Sequence, residues 1–470
     1  MRHCIALLLL CFSFFTFHFS QAQQFGGTPS SIKWRQVNTD TVRIIFPEGL
    51  DSVAQRIASI TGRLQRNYSN SIGSTLRKIS IVLQKDVTVS NAFVALGPYR
   101  SEYYLMPPQN AFELGAQNWA DNLAIHEFRH VQQYSNFNVG LSKAFSVLFG
   151  EYGQSFANAA AVPDWFFEGD AVYNETMLSE QGRGRLPLFF SGYKSLYYDN
   201  RHYSYMQLRN GSLLHYIPGH YELGYPLVAY GREKYGNDFW KKVTQDAAAY
   251  RLLFYPMQGA IRKYTGTSYQ QFVKDAFSFY EQQWNKDKEQ TSLQWLTETK
   301  KNNVVNYQYP YAAEDDTLIV LKTTGTDIPA FYKIDAKKTE TKIAVRDIAY
   351  DDYFSYNNGK IIYASFEPDI RWGNRDYSVI RILDLQTKEE KKVTTHSKYF
   401  SPDISHDGKT IAAVEYMPGQ RSKLVLLDDN GNIIHTTEAG KGYIYSYPKF
   451  SGDDKNIFVW KEIQKEKWHY

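Results

Sequence analysis

The chain of 470 residues predicts two folds in tandem, an α+β domain followed by an all-β domain of propeller blades. Three observations lead there. Strand-like and helix-like apolar periodicities alternate as far as about residue 298, helical patterning then stops, and short β-rich runs recur beyond it with a period of about 46 residues. The expected units are residues 1–22 as a signal peptide, 23–298 as the α+β domain and 299–470 as a partial propeller.

At the start, Met1-Arg2-His3 precedes an apolar run to Phe19, and Ser20-Gln21-Ala22 supplies small residues before a cleavage point after Ala22. The expected location is therefore outside the cytoplasm of a bacterium: periplasm, cell surface or medium. Both cysteines, Cys4 and Cys11, lie inside this segment, so residues 23–470 hold no disulfide and no cysteine-metal site. No later run reaches 18 apolar residues, and no membrane span is expected. Lys and Arg number 53 against 49 acids, interspersed, which points to no nucleic-acid partner. The 37 tyrosines are read as packing residues.

Residues 42–47 and 78–84 pattern as strands, with helix-spaced Val53, Ile57, Ile60 and Leu64 between them. Residues 92–96 and 102–106 read as two further strands. The second of them, taken as 101–106, is assigned the edge that would hold a substrate backbone. Residues 118–135 contain neither Gly nor Pro, and Trp119, Leu123, Ala124 and Val131 suit a buried helix. On such a helix His126 and His130 stand at i and i+4, close enough for both imidazoles to meet one metal ion, with Glu127 at the margin of that face. A catalytic zinc takes three protein ligands. The third is sought in Pro163-Asp164-Trp165-Phe166-Phe167-Glu168-Gly169-Asp170-Ala171, where Glu168 follows bulky aromatics and precedes small residues that allow close helix approach to the first motif.

HExxH followed by Pro-x-Trp-x-x-Glu-Gly-x-Ala resembles the gluzincin group of zinc metallopeptidases. The resemblance implies a zincin-like domain in which His126, His130 and Glu168 bind zinc and Glu127 is the general base. Two features depart from the group: 37 residues separate His130 from Glu168, and Val172 occupies the fourth position after Glu168, where several members carry an acid. Asp170 and Glu175 are the candidates for orienting a zinc histidine. Further along, Gly219 to Gly236 is similar to the segment that follows the zinc helices in such domains, which makes His220, Tyr221 and Tyr225 candidates for stabilising an oxyanion. Leu141–Ala161, interrupted at Gly150 and Gly153, reads as a helix capping the cleft or as a membrane-facing surface, and a buried helix is favoured because the run is too short and too broken to span a bilayer; Gly192–Tyr205 reads as a Tyr-rich loop, and 239–246 and 269–284 as helices.

In the C-terminal part, Pro402, Ser405, Asp407, Lys409 and Ile411 recur 46 residues later as Pro448, Ser451, Asp453, Lys455 and Ile457. Asn430-Gly431 marks a hairpin turn. The run Ser401 to Lys409 resembles the repeat of TolB-type propellers, with its aspartates fixing turns. About three and a half units fit before Tyr470, fewer than a closed propeller uses, so the expectation is a fragment of a longer protein or a partner that completes the sheet edges.

The expected function is an exported zinc-dependent peptidase acting on a peptide or protein, with zinc as cofactor. Two alternatives use the same residues. One is an envelope binding or assembly protein, with the propeller as partner platform and the zincin domain as a non-catalytic scaffold. The other is a metallohydrolase acting on a non-peptide amide.

Overall fold

The computed structural model describes residues 26–285, 295–298, 302–419 and 421–463. The expected signal peptide lies outside them. Helices and several small sheets make up the fold. Five strands, β1 (Trp34–Asn38), β2 (Val42–Pro47), β3 (Ile79–Gln84), β4 (Ala92–Leu96) and β5 (Tyr99–Tyr104), form one sheet in the order β1-β2-β3-β5-β4. β2, β3 and β5 run parallel, and β1 and β4 are antiparallel to their neighbours. Alternation in β2 sends Val42, Ile44 and Phe46 to one face, where the helix Asp51–Tyr68 packs through Ala54, Ile57 and Leu64. The helix Trp119–Asn136 adds Leu123, Ala124, Phe128 and Val131 to the same core.

The sheet order corrects the assignment of residues 101–106 as the edge. β5 is enclosed between β3 and β4, and β4 is the outer strand. Two strands joined by a tight turn look alike in sequence, and only the parallel pairing of β5 with β3 decides which of them is covered.

A second core holds the remaining helices together. Trp165 and Phe166 on the helix Asp164–Leu178 meet Trp240 and Phe272 from the helices Phe239–Ala248 and Tyr269–Trp284. The helix His220–Tyr235 crosses Asp164–Leu178 where Gly169 faces Gly224. A Cβ on Gly224 would lie 1.8 Å from the Trp165 carbonyl oxygen. The small residue after Glu168 thus permits approach of this helix, not of the HExxH helix as the sequence reading had it. The first half of the expected loop 192–205 is helical, as the end of Pro187–Tyr198, because Pro187 sits at a helix start and Phe189, Tyr193 and Leu196 recur on a buried face. Leu141–Ala161 is helical too, as Gly140–Ala161, but breaks at Gly150 (φ 66°, ψ −152°) and is not buried throughout: Val147, Leu148, Phe149, Tyr152 and Phe156 are exposed.

From Val305 onward the chain forms antiparallel meanders: three four-stranded sheets (Val305–Val345, Phe354–Lys392, Tyr399–Glu438) and, among the described residues, one two-stranded sheet (Tyr443–Ile463). Their first strands converge. Lys449 Nζ, from the fourth sheet, bonds Tyr311 of the first (2.5 Å), Ser355 of the second (3.2 Å) and Asp403 of the third (3.1 Å). The 46-residue repeat is a repeated turn: Ser405 Oγ donates to Asp407 and Lys409 N–H donates to the same carboxylate, as Ser451 and Lys455 do to Asp453. Asp403 does not fix a turn but joins the converging cluster.

The meanders grip the segment that leads into β4 and the one that leaves β5. Thr88 Oγ1 donates to Asp376 Oδ1 (2.6 Å), Lys398 Nζ donates to the Val87 carbonyl (3.1 Å), and Met106 packs with Phe400, Val414 and Tyr416.

Candidate metal centre

The HExxH helix is capped by Asn118, whose side chain accepts from Asp121 N–H, and it is buried along almost its whole length. Burying two imidazoles and a carboxylate there requires partners. The i,i+4 spacing brings the rings of His126 and His130 to 5.1 Å between centroids. Glu168, on the second helix, reaches both: its Oε2 lies 3.1 Å from His126 Nε2 and 3.5 Å from His130 Nε2. These three are the residues the sequence singled out as ligands. The ligand atoms of a tetrahedral zinc with bonds of about 2.0–2.1 Å stand about 3.3 Å apart. The two separations to Glu168 bracket that value, and all three ligand atoms lie within 4.8 Å of one another, so the donor set fits the ion.

The other ring nitrogens fix the tautomers. His130 Nδ1 lies 2.9 Å from Gln133 Oε1, and Gln133 Nε2 donates to the Phe167 carbonyl and to Asp170 Oδ2 (3.0 Å), which leaves its oxygen to accept from His130. His126 Nδ1 lies 3.1 Å from Glu175 Oε2. Arg183 holds Glu175 from the other side, through Nε (2.7 Å) and Nη2 (3.2 Å). With a metal bound, each histidine would keep its proton on Nδ1, toward Glu175 or Gln133, and offer an unprotonated Nε2 to the ion beside Glu168.

Without a metal, a proton shared with Glu168 holds the cluster together, and a cation would displace it. Burial alone would lower His126, but hydrogen bonds to Glu168 and Glu175 raise it to about 9. Burial would raise Glu168, and the two imidazoles instead hold it well below the carboxylate range. Glu175, also buried, is held at about 2 by Arg183 and His126. Glu127 is buried beside Glu168 and goes the other way, its pKa raised by desolvation.

Of the two candidates for orienting a histidine, Glu175 contacts His126 directly and Asp170 reaches His130 only through Gln133. Asp170 is the centre of a buried ionic cluster, with Arg129 Nε at 2.6 Å and Arg232 Nη2 at 2.8 Å. Of the three oxyanion candidates, Tyr221 sits over the ligands: its ring centroid is 6.2 Å from that of His126, and the Arg183 guanidinium lies 4.8 Å from the ring. His220 stacks on Tyr221 at the cleft margin, 4.7 Å between centroids. Tyr225 is not brought to the cleft. It packs against Phe189, Phe190 and Tyr173, because four residues along the helix from Tyr221 the surface meets the neighbouring aromatic helix. Gln133 and Arg183 were not picked out from the sequence. Gln133 carried a usable signal, since i+3 from His130 places it on the same helix face. Arg183, in a glycine-flanked turn, carried none.

These groups form the floor of a 550 Å³ cleft. One wall is Asn91–Val94 at the outer edge of β4, and the other is Ser155, Asn158 and Ala159 of the bent helix. Among the described residues β4 pairs only with β5, so its outer hydrogen-bonding edge faces the cleft.

No protein-family description matches the chain, and no curated protein matches it. Several solved structures do. TolB from Acinetobacter baumannii is 18% identical over 34% of this chain and 43% of that one, with a TM-score of 0.23. The β-propeller domain of the trilobed protease from Pyrococcus furiosus is 15% identical over 35% and 57%, with a TM-score of 0.21. An acylaminoacyl peptidase from Pyrococcus horikoshii is 12% identical over 35% and 32%, with a TM-score of 0.23. The chain thus spans less than two thirds of each of these structures.

Proposed function

We propose that the protein is an exported zinc-dependent hydrolase that cleaves peptide bonds, with His126, His130 and Glu168 as ligands. One observation supports this above the others: two Nε2 atoms and one carboxylate oxygen converge at ligand spacing on the floor of a cleft, with a second buried carboxylate, Glu127, beside them. Zinc, when bound, supplies Lewis acidity toward a carbonyl and acidity to water. Glu127, made more basic by burial, takes a proton from the attacking water and returns it to the leaving amine. Tyr221, whose phenol is kept protonated by burial and by Glu168, donates a hydrogen bond to the developing oxyanion. The outer edge of β4 pairs with an extended substrate backbone and sets its direction across the floor. Glu175 and Gln133 hold the two imidazoles in register while the charge moves.

The test is zinc content by elemental analysis, together with hydrolysis of a mixed peptide library. About one zinc per chain is expected, with most of it lost in Glu168→Ala. Glu127→Gln should keep the zinc and lose turnover. A folded chain that takes up no zinc when supplied with it would overturn the reading, as would a Glu127→Gln variant with normal turnover.

A further inference from the structure

The bent helix Gly140–Ala161 presents to solvent what a helix of this length would bury against a core. Its two halves fold back on each other at Gly150, close enough that a Cβ on Gly153 would lie 2.3 Å from the Phe145 carbonyl oxygen. The base is fastened: Asn158 donates to Ser142 Oγ and the Phe137 carbonyl, and Gln154 donates to the Tyr134 carbonyl. The outer surface is not covered, and Leu148 is 72%, Phe149 64% and Phe156 68% exposed.

A second segment of the same character lies alongside. Leu141 N–H donates to the Ala249 carbonyl and Tyr250 Oη donates to the Ala157 carbonyl, which sets Leu252-Leu253-Phe254-Tyr255 beside the base of the bent helix. Phe254 is 79% and Tyr255 73% exposed, and Tyr255 lines one small pocket with Ala160 and Ala161, so the two apolar segments adjoin at the base of the bent helix. Exposed Arg251 directly precedes Leu252, exposed Arg209 shares a small pocket with Tyr255, and exposed Lys143 lies in the first turn of the bent helix, while Glu151 at the elbow is engaged by Arg77 and the Tyr99 amide.

We infer that this face docks on a phospholipid bilayer, with the 147–156 and 252–255 segments entering the headgroup and upper acyl region. Apolar residues at consecutive positions, 147–149 and 252–254, point in divergent directions around a bend and a turn. A protein groove reads an apolar stripe spaced i, i+3, i+4, i+7 along one straight helix; Phe149, Tyr152 and Phe156 carry that spacing, but the break at Gly150 separates the first from the other two. A fluid apolar medium accepts side chains in any direction. At the bend, Val147, Leu148, Phe149, Tyr152 and Phe156 are all highly exposed, and the neighbouring cations complement anionic headgroups. Among the described residues no helix is long and apolar enough to cross a membrane, so the contact is a surface one. The inference is independent of the metal site. With the proposed hydrolase it has a consequence, because Ser155 and Ala159 of this helix line the cleft and docking would hold the cleft beside the membrane surface.

The test is flotation of the purified chain with phosphatidylcholine vesicles and with vesicles that also contain phosphatidylglycerol. Binding should be stronger to the second set and should fall by roughly tenfold or more in Leu148→Ser/Phe149→Ser/Phe254→Ser. That variant should melt as the parent does, since its three sites are exposed. Phe149→Trp should be quenched by bromolipid in the bound state. Failure of the parent chain to float with either vesicle, or equal flotation of the triple variant, would overturn the inference. So would concentration-dependent self-association lost in the triple variant without any vesicle binding, which would assign the face to a second copy of the chain.

Discussion

Replacing Glu175 by Gln changes the shape of a buried side chain by almost nothing and its charge by one. Its Oε2 accepts from His126 Nδ1 at 3.1 Å, and its Oε1 accepts from Arg183 Nε at 2.7 Å. A carboxylate satisfies both donors. A glutamine must turn its NH2 toward one of them, and a donor then faces a donor. If the conflict falls on His126, the ring is relieved by moving its proton to Nε2, the atom that faces Glu168, and the ligand is lost. Removal of such a hydrogen-bond partner costs about 10–100-fold in metal affinity, equivalent to about 1.4–2.7 kcal/mol. The measurement is competition for zinc against a chromogenic chelator at fixed pH, with thermal melts to establish that both proteins are folded. Zinc affinity in folded Glu175→Gln equal to that of the parent would refute the argument that Glu175 fixes the His126 tautomer.

Two predictions concern stability. Asp170 is fully buried between Arg129 and Arg232, whose guanidinium groups outweigh burial and hold its carboxyl at about 2; Asp170→Asn strands both cations and should cost about 3–5 kcal/mol in denaturant unfolding, and a loss below about 1 kcal/mol would contradict the cluster's role. Lys398 is pushed down from 10.5 to about 8 by burial, against the pull of Asp376 and Asp86. Its charged form is therefore disfavoured in the fold, the unfolded chain binds the extra proton between pH 8 and 10.5, and stability should rise through that window by up to roughly 3 kcal/mol relative to Lys398→Met. Parallel pH profiles for the two proteins would show that the lysine is not buried as described.

Short-range geometry was legible in the sequence. An i,i+4 pair of histidines on an uninterrupted apolar helix has one outcome, because helical spacing is set by the backbone, and His126, His130 and Glu127 lie where that spacing puts them. Glu168 was found because a carboxylate after three aromatics must meet a partner, and it does, at 3.1 Å from His126. The 46-residue repeat was readable since each unit rebuilds the same Ser-x-Asp turn from local hydrogen bonds.

What tertiary structure alone decided depends on how separate elements meet. Val172 leaves the fourth position after Glu168 without an acid, and it is Glu175, a turn further on, whose Oε2 lies 3.1 Å from His126 Nδ1, a contact that depends on how the helix Asp164–Leu178 packs against the HExxH helix. Whether β4 or β5 forms the sheet edge turned on a parallel pairing with β3, which alternation within either strand does not encode. The apolar run 141–161 was expected to be buried, since sequence registers hydrophobicity and not what stands opposite. In the fold the reversal at Gly150 turns its bulky residues outward. Periodicity is a property of one segment, whereas edges, partners and exposed faces are relations between segments, and these are set only when the segments pack.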